Sequence, residues 1–207
     1  GRGVAWMARQ LKQNAVVYMP KGSSQQRLTS IRNEGATAEI VDMNYDDAVR
    51  MTAEQAQKHG WIVVQDTAWE GYEKIPQWIM QGYGTLMLEA IDQLHQVAPT
   101  HIFVQAGVGS FAGMVQGMVA AAWGEHRPKV IVAEALIADC LYRSARSKEG
   151  DAIAVGGDLQ TVMAGLACGE ANSIGWKLLR DYANAFASCP DEVAALGMRM
   201  LGNPLAG

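Results

Sequence analysis

Gln105-Ala106-Gly107-Val108-Gly109-Ser110-Phe111-Ala112-Gly113 follows an apolar run at 101–104 and opens a long apolar pattern at 114–123. The order reads as strand, glycine loop, helix. Glycines in such a loop take backbone angles closed to side chains, so several N–H groups can converge on one anion at the positive end of the helix. The stretch therefore reads as a phosphate cradle, and the bland alternative is a tight strand-to-helix turn that binds nothing.

Two ligand classes use such a cradle. A dinucleotide fold has Gly-x-Gly-x-x-Gly and an acidic residue about 20 residues further on for a ribose hydroxyl. Here the third glycine, Gly113, comes one place late, yet the next apolar run, 129–133, does end in Glu134. The loop alone leaves that class open.

Composition narrows the field. The 207 residues are 49% hydrophobic, enough for one large or two small cores. No uninterrupted apolar run approaches the roughly 20 residues that span a bilayer, and no signal peptide opens the chain, so it reads as soluble and cytoplasmic. A formal charge of −4 with scattered Lys and Arg gives no basic stripe, which argues against nucleic acid and for a small-molecule partner. Cys140, Cys168 and Cys189 are odd in number and lack ligand spacing, as reduced core-filling thiols would. His59, His95, His101 and His126 share no spacing, so no metal site is expected.

Helix and strand signals alternate from the start: a helix through Val4, Met7, Ala8 and Leu11, a strand at 15–19, a helix at 23–34, a strand at 39–41 and a helix at 45–59 stopped by Gly60. A third strand at 61–64 delivers Gln65-Asp66-Thr67 at its carboxyl end, where open parallel sheets do their chemistry. The alternative for Asp66 is a turn or N-cap aspartate. Residues 68–77 read as a connector, followed by a long helix at 82–97, the glycine-loop unit, a strand at 129–133 and a helix through Ile137 and Leu141. The last third reads as helical, at 162–167, 176–186 and 192–201, with a final turn at Leu201-Gly202-Asn203-Pro204. Such βα alternation implies parallel sheet covered by helices. The expected division is a smaller α/β lobe at 1–74 and a larger cofactor-binding lobe at 75–207, and the abrupt ends read as those of a central piece of a longer polypeptide.

Longer strings point to a family. Gly3-Val4-Ala5, Tyr18-Met19-Pro20, Ile31-Arg32-Asn33-Glu34-Gly35-Ala36 and the glycine loop, in that order, resemble the pyridoxal-phosphate enzymes of the threonine dehydratase and tryptophan synthase β fold. Asp42-Met43-Asn44-Tyr45-Asp46-Asp47, Val64-Gln65-Asp66-Thr67-Ala68-Trp69-Glu70-Gly71-Tyr72, Trp78-Ile79-Met80-Gln81-Gly82-Tyr83 and Met163-Ala164-Gly165-Leu166-Ala167-Cys168-Gly169-Glu170 resemble the diaminopropionate ammonia-lyases within that group. The match spans essentially the whole chain.

The resemblance implies a fold-type-II α/β protein, incomplete at both ends, with pyridoxal 5'-phosphate as cofactor. It implies cofactor contacts from Gly107, Val108, Gly109, Ser110, Phe111, Ala112, Gly113 and Gly165. It makes Asp66 catalytic, as base toward Cα or partner of a β-ammonium, and sets Asp66 and Thr67 against the substrate. The implied reaction is α,β-elimination of 2,3-diaminopropionate to pyruvate and two ammonia in a homodimeric parent, the present stretch being inactive by itself. In the family, the cofactor-bonding lysine and an Asp-Gly-Asn-His string precede the point where this sequence begins. None of Lys12, Lys21, Lys58, Lys74, Lys129, Lys148 or Lys177 sits in that lysine motif. A threonine or serine dehydratase and a nicotinamide-dependent oxidoreductase remain the competing enzymes, and a non-catalytic binding or assembly module the third class.

Overall fold

A computed structural model of the chain describes residues 1–95 and 97–203. The chain divides into two units, Gly1–Val64 and Gln65–Gly207, so the boundary falls between Val64 and Gln65, where the sequence suggested a boundary after Lys74. Among the described residues no helix is long and apolar enough to cross a membrane.

The first unit runs α1 (Arg2–Gln10), β1 (Val16–Met19), α2 (Gln25–Arg32), β2 (Thr37–Ile40) and α3 (Tyr45–His59). Local chemistry sets these limits. Ser24 Oγ accepts the Arg27 N–H at the start of α2, and Asn44 Oδ1 accepts the Asp47 N–H at the start of α3. Asp46 and Asp47 fill the first turn of α3, and Gly60 ends it in the left-handed region at φ 69. β1 and β2 pair in parallel, Val16 opposite Thr37, over a small core of Ala5, Met19, Leu28, Ile31, Ala36 and Ala38.

The second unit contains α4 (Lys74–Gln93), β3 (His101–Gln105), α5 (Ser110–Trp123), β4 (Lys129–Ala135), α6 (Cys140–Ala145), α7 (Ser173–Tyr182), β5 (Ala185–Cys189) and α8 (Asp191–Gly202). Its sheet is parallel in the order β3-β4-β5. The central strand β4 is the most apolar, and Val130, Val132 and Ala135 are fully buried against Val104, Val115, Val119, Leu141 and Leu179.

Several expectations from the sequence are corrected here. Residues 61–64 belong to neither sheet, and Ile62 is largely exposed: an apolar run becomes a strand only with a ladder. The connector at 68–77 is shorter than expected, because α4 starts at Lys74 and absorbs Pro76 in its first turn, where a missing N–H costs nothing. The same helix ends at Gln93 rather than 97, and residue 96 lies outside the described residues. The helix expected at 176–186 stops at Tyr182. Beyond it Asn184 exchanges hydrogen bonds with Val130 at both its N–H and its Oδ1, which docks β5 onto β4. The helix expected at 162–167 is a single 3-10 turn, Ala164–Leu166. At the end, Gly202 is still helical and Asn203 caps α8, while Pro204 of the expected turn lies outside the described residues.

The tightest seam joins α5 to α7. A Cβ on Gly113 would lie 2.8 Å from Gly175 Cα, and one on Gly175 would lie 2.5 Å from the Gly109 carbonyl oxygen. Backbone meets backbone there, so no side chain can turn aside. Gly175→Ala is expected to destabilise the protein by about 1–3 kcal/mol, the usual cost of overpacking. The check is the denaturant midpoint against Gly3→Ala, where a Cβ meets nothing within 4 Å.

Candidate functional site

The loop from β3 to α5 is fastened by its carbonyls. Val108 O accepts the Asn172 N–H (2.7 Å), Gly109 O accepts the Gly113 N–H (2.8 Å), and the Cys140 thiol lies 3.8 Å from Gly107 O. Ala106 donates to Ala133 O (2.9 Å), which keeps the loop on the end of β4. The N–H groups of residues 107–112, by contrast, find no acceptor among the described residues. They cluster at the positive end of α5, the arrangement that binds anions. Gly109 holds the turn at φ 91, with Leu141 Cδ1 3.1 Å from where a Cβ would sit.

Gly165 comes to the same place. Its carbonyl oxygen lies 3.5 Å, and Cys168 Sγ 3.2 Å, from the position a Cβ on Gly107 would take. Gly113 faces the other way, its N–H spent on Gly109 and its Cα against Gly175.

Asp66 is tied to this loop. Its carbonyl accepts from Ser110 Oγ (2.7 Å) and from Asn172 Nδ2 (2.5 Å), while its carboxylate Oδ2 accepts from the Tyr83 hydroxyl (2.9 Å). The Ser110 hydroxyl is thereby consumed, donating to Asp66 and accepting from Asn172 Nδ2 at 2.7 Å, so that only the backbone N–H of Ser110 is free for a ligand. The Phe111 and Tyr83 rings meet in a T shape, with centroids 5.8 Å apart. Burial, and then the Asp66 carboxylate, push the Tyr83 phenol well above its ordinary value, and the same two influences raise Tyr72. Both stay protonated donors. Thr67 is buried, with its N–H on Gln65 Oε1 (3.0 Å) and its carbonyl on Gln65 Nε2 (2.8 Å).

The structure thus brings Asp66, Ser110 and Phe111 together and sets Gly165 beside Gly107. It adds two residues that the sequence did not single out. Tyr83 sits in the string 78–83, one α4 turn beyond Met80, and nothing local marks its hydroxyl. Asn172 is followed by Ser173 and a helical pattern, which signals a cap, and it does cap α7 by accepting from Ile174 and Gly175 N–H. Its side-chain amide, reaching 106 residues back to Asp66, was not legible.

The profile of the pyridoxal-phosphate dependent enzymes matches residues 1–203. The chain belongs to that family. It is 58% identical over 206 residues to the diaminopropionate ammonia-lyase of Escherichia coli K12, covering 99% of this chain and 51% of that protein. It is 53% identical over 210 residues to the Salmonella typhimurium diaminopropionate ammonia-lyase, covering 100% of this chain and 52% of the relative. A crystal structure of the E. coli enzyme in complex with an aminoacrylate-PLP azomethine reaction intermediate superposes with a TM-score of 0.92 at 56% identity, over 100% of this chain and 52% of that one. The chain spans about half the length of the curated relatives it matches. As a pyridoxal-phosphate dependent enzyme it has the fold-type-II architecture that the sequence implied. Its free N–H groups at 107–112 fit the cofactor's phosphate in number and polarity, and all seven lysines named above are exposed.

Glu134 now reads differently from a ribose anchor. It is fully buried, and its two carboxylate oxygens accept the Leu141 (2.9 Å) and Tyr142 (2.6 Å) N–H groups at the start of α6. Burial dominates and pushes its carboxyl up to about 8, although the two N–H donors pull it down. A carboxyl raised on folding favours the folded state most when protonated in both states, and that advantage is lost as pH climbs through its folded value. Stability is therefore expected to fall between about pH 4.5 and pH 8. Glu134→Gln, with no proton to lose, should flatten that slope in denaturation series across pH.

Proposed function

We propose that the protein carrying this chain is a pyridoxal-phosphate-dependent carbon–nitrogen lyase that converts 2,3-diaminopropionate and water to pyruvate and two ammonia. The identity to diaminopropionate ammonia-lyases along the whole chain supports the substrate. The observation that carries the mechanism is Asp66, whose carbonyl is fastened to the loop of open backbone N–H groups by Ser110 and whose carboxylate is held by Tyr83. A cytoplasmic homodimer completes the reading, supported by three free cysteines for the compartment and by the resemblance for the dimer.

The N–H groups of residues 107–112 hold the phosphate at the positive end of α5, with Gly107 and Gly165 keeping the approach clear of side chains. Bound pyridoxal phosphate supplies an electron sink for the pair left behind when the Cα proton departs. The chain's own task is at the other carbon. A β-amine leaves only as neutral ammonia, so its nitrogen must carry a proton until the carbon–nitrogen bond breaks. The Asp66 carboxylate pairs with that β-ammonium and keeps it charged and oriented, while Thr67 lies in the same buried turn. The nicotinamide alternative loses its support because Glu134 has both oxygens committed to α6.

Asp66→Asn in the full-length protein is expected to leave the cofactor's visible absorbance intact and to cut ammonia and pyruvate release by about 10²–10⁴-fold, the range of general acid–base catalysis. Unchanged turnover removes Asp66 from the mechanism. Preferential release of one ammonia from serine or threonine would identify a dehydratase instead. Gly109→Ala forces a side chain into the left-handed region, which costs roughly 1–2 kcal/mol. It is expected to weaken cofactor binding by about 10-fold in an absorbance titration.

A further inference from the structure

A carboxylate on a free side chain turns easily about its last torsion, whose energy profile is broad. Asp66 is held at both ends. Ser110 Oγ and Asn172 Nδ2 fasten its carbonyl, and the Tyr83 hydroxyl fastens Oδ2 at 2.9 Å. Among the described residues Oδ1 accepts no hydrogen bond, and Asp66 is half-buried. Tyr83 is braced in turn, its ring meeting Phe111 edge-on at 83°. Phe111 follows Ser110 in the first turn of α5, so Asp66, Tyr83, Phe111 and Ser110 form a closed circuit. The helix carrying Tyr83 faces α5 at Gly84, where a Cβ would make ordinary contact with Met114 Sδ at 3.6 Å and Met118 Sδ at 3.7 Å.

We infer that Tyr83 is a positioning residue for the elimination: its hydroxyl takes up Asp66 Oδ2 and leaves Oδ1 as the oxygen presented to the second ammonium of a diamino acid. This rests on the role given to Asp66 above. One oxygen in one orientation places the proton at the departing nitrogen, whereas a swinging carboxylate spends most of its time misaligned.

Steady-state kinetics of the full-length, cofactor-loaded protein on 2,3-diaminopropionate tests this. Tyr83→Phe is expected to lower kcat by about 10- to 100-fold, the cost of a misplaced group. KM should change less than about threefold, because the ground state keeps its contacts. The acid limb of the kcat profile should move to higher pH, since a carboxylate that loses a donor protonates more readily. Adding Tyr83→Phe to Asp66→Asn should cost nothing further. 3-Fluorotyrosine at position 83 keeps the shape and donates more strongly, so the limb should then move to lower pH, a result available even if the Phe variant fails to fold. Parental kcat and an unmoved limb in these variants, alongside a crippled Asp66→Asn, overturn the positioning role alone. A fully active Asp66→Asn overturns the reading of Asp66 on which the role rests.

Discussion

Asn172 is the point through which the site hangs together. It is wholly buried, and its side-chain amide donates to the Asp66 carbonyl and to Ser110 Oγ while its oxygen accepts two N–H groups at the start of α7. Its own N–H goes to Val108 O inside the glycine loop. Three segments far apart in sequence therefore meet on one residue. A buried amide of this kind is stable only with its hydrogen-bonding groups satisfied, since each orphaned partner costs about 1–3 kcal/mol. Moving any one of the three segments would strand partners on the other two, which makes the site a single rigid piece.

The close backbone contact between α5 and α7 is what allows this. Gly113 against Gly175 lets the two helices approach until Gly175 nearly touches the Gly109 carbonyl. The N-terminus of α7 then arrives beside the N-terminus of α5, and Asn172 can serve as cap and bridge together. The roles of the loop's glycines follow from position. Gly109 turns the chain, Gly107 clears space beside Cys168 and Gly165, and Gly113 belongs to the helix seam rather than to the open N–H groups. A motif written as one string thus divides into parts with different physical tasks.

What the sequence revealed and what it hid divide along the range of the interactions. The limits of α3 were legible because Asn44, Asp46, Asp47 and Gly60 act within one turn of the helix they begin or end. The glycine loop was legible for the same reason, whereas Asp66 was expected at the carboxyl end of a strand at 61–64 that belongs to neither sheet. β5 was hidden because Ala185 to Cys189 carries no alternation and becomes a strand only through Asn184 and the ladder to β4. The start of α4 was hidden because Pro76 reads as a breaker unless its place in the first turn is known. Tyr83 and Asn172 lie 17 and 106 residues from Asp66, and no local pattern ranks a tyrosine or an asparagine by what it will reach after folding. Resemblance to a family supplied the fold and chemistry, but it carried only the residues in recognised strings.

Charge completes the argument. Every lysine of this chain faces solvent, while the N–H groups of residues 107–112 stand open at the start of α5, where the helix dipole gathers partial positive charge. Such partial charges are fixed by the fold and need not reorganise when a ligand arrives. They also reach only about one helical turn. Asp66 stays joined to that loop because Ser110 and Asn172 fix its backbone, while the Tyr83 hydroxyl donates to its carboxylate locally. Loop and carboxylate thus have separate hydrogen-bonding groups, and the residues that join them, Ser110 and Asn172, are uncharged.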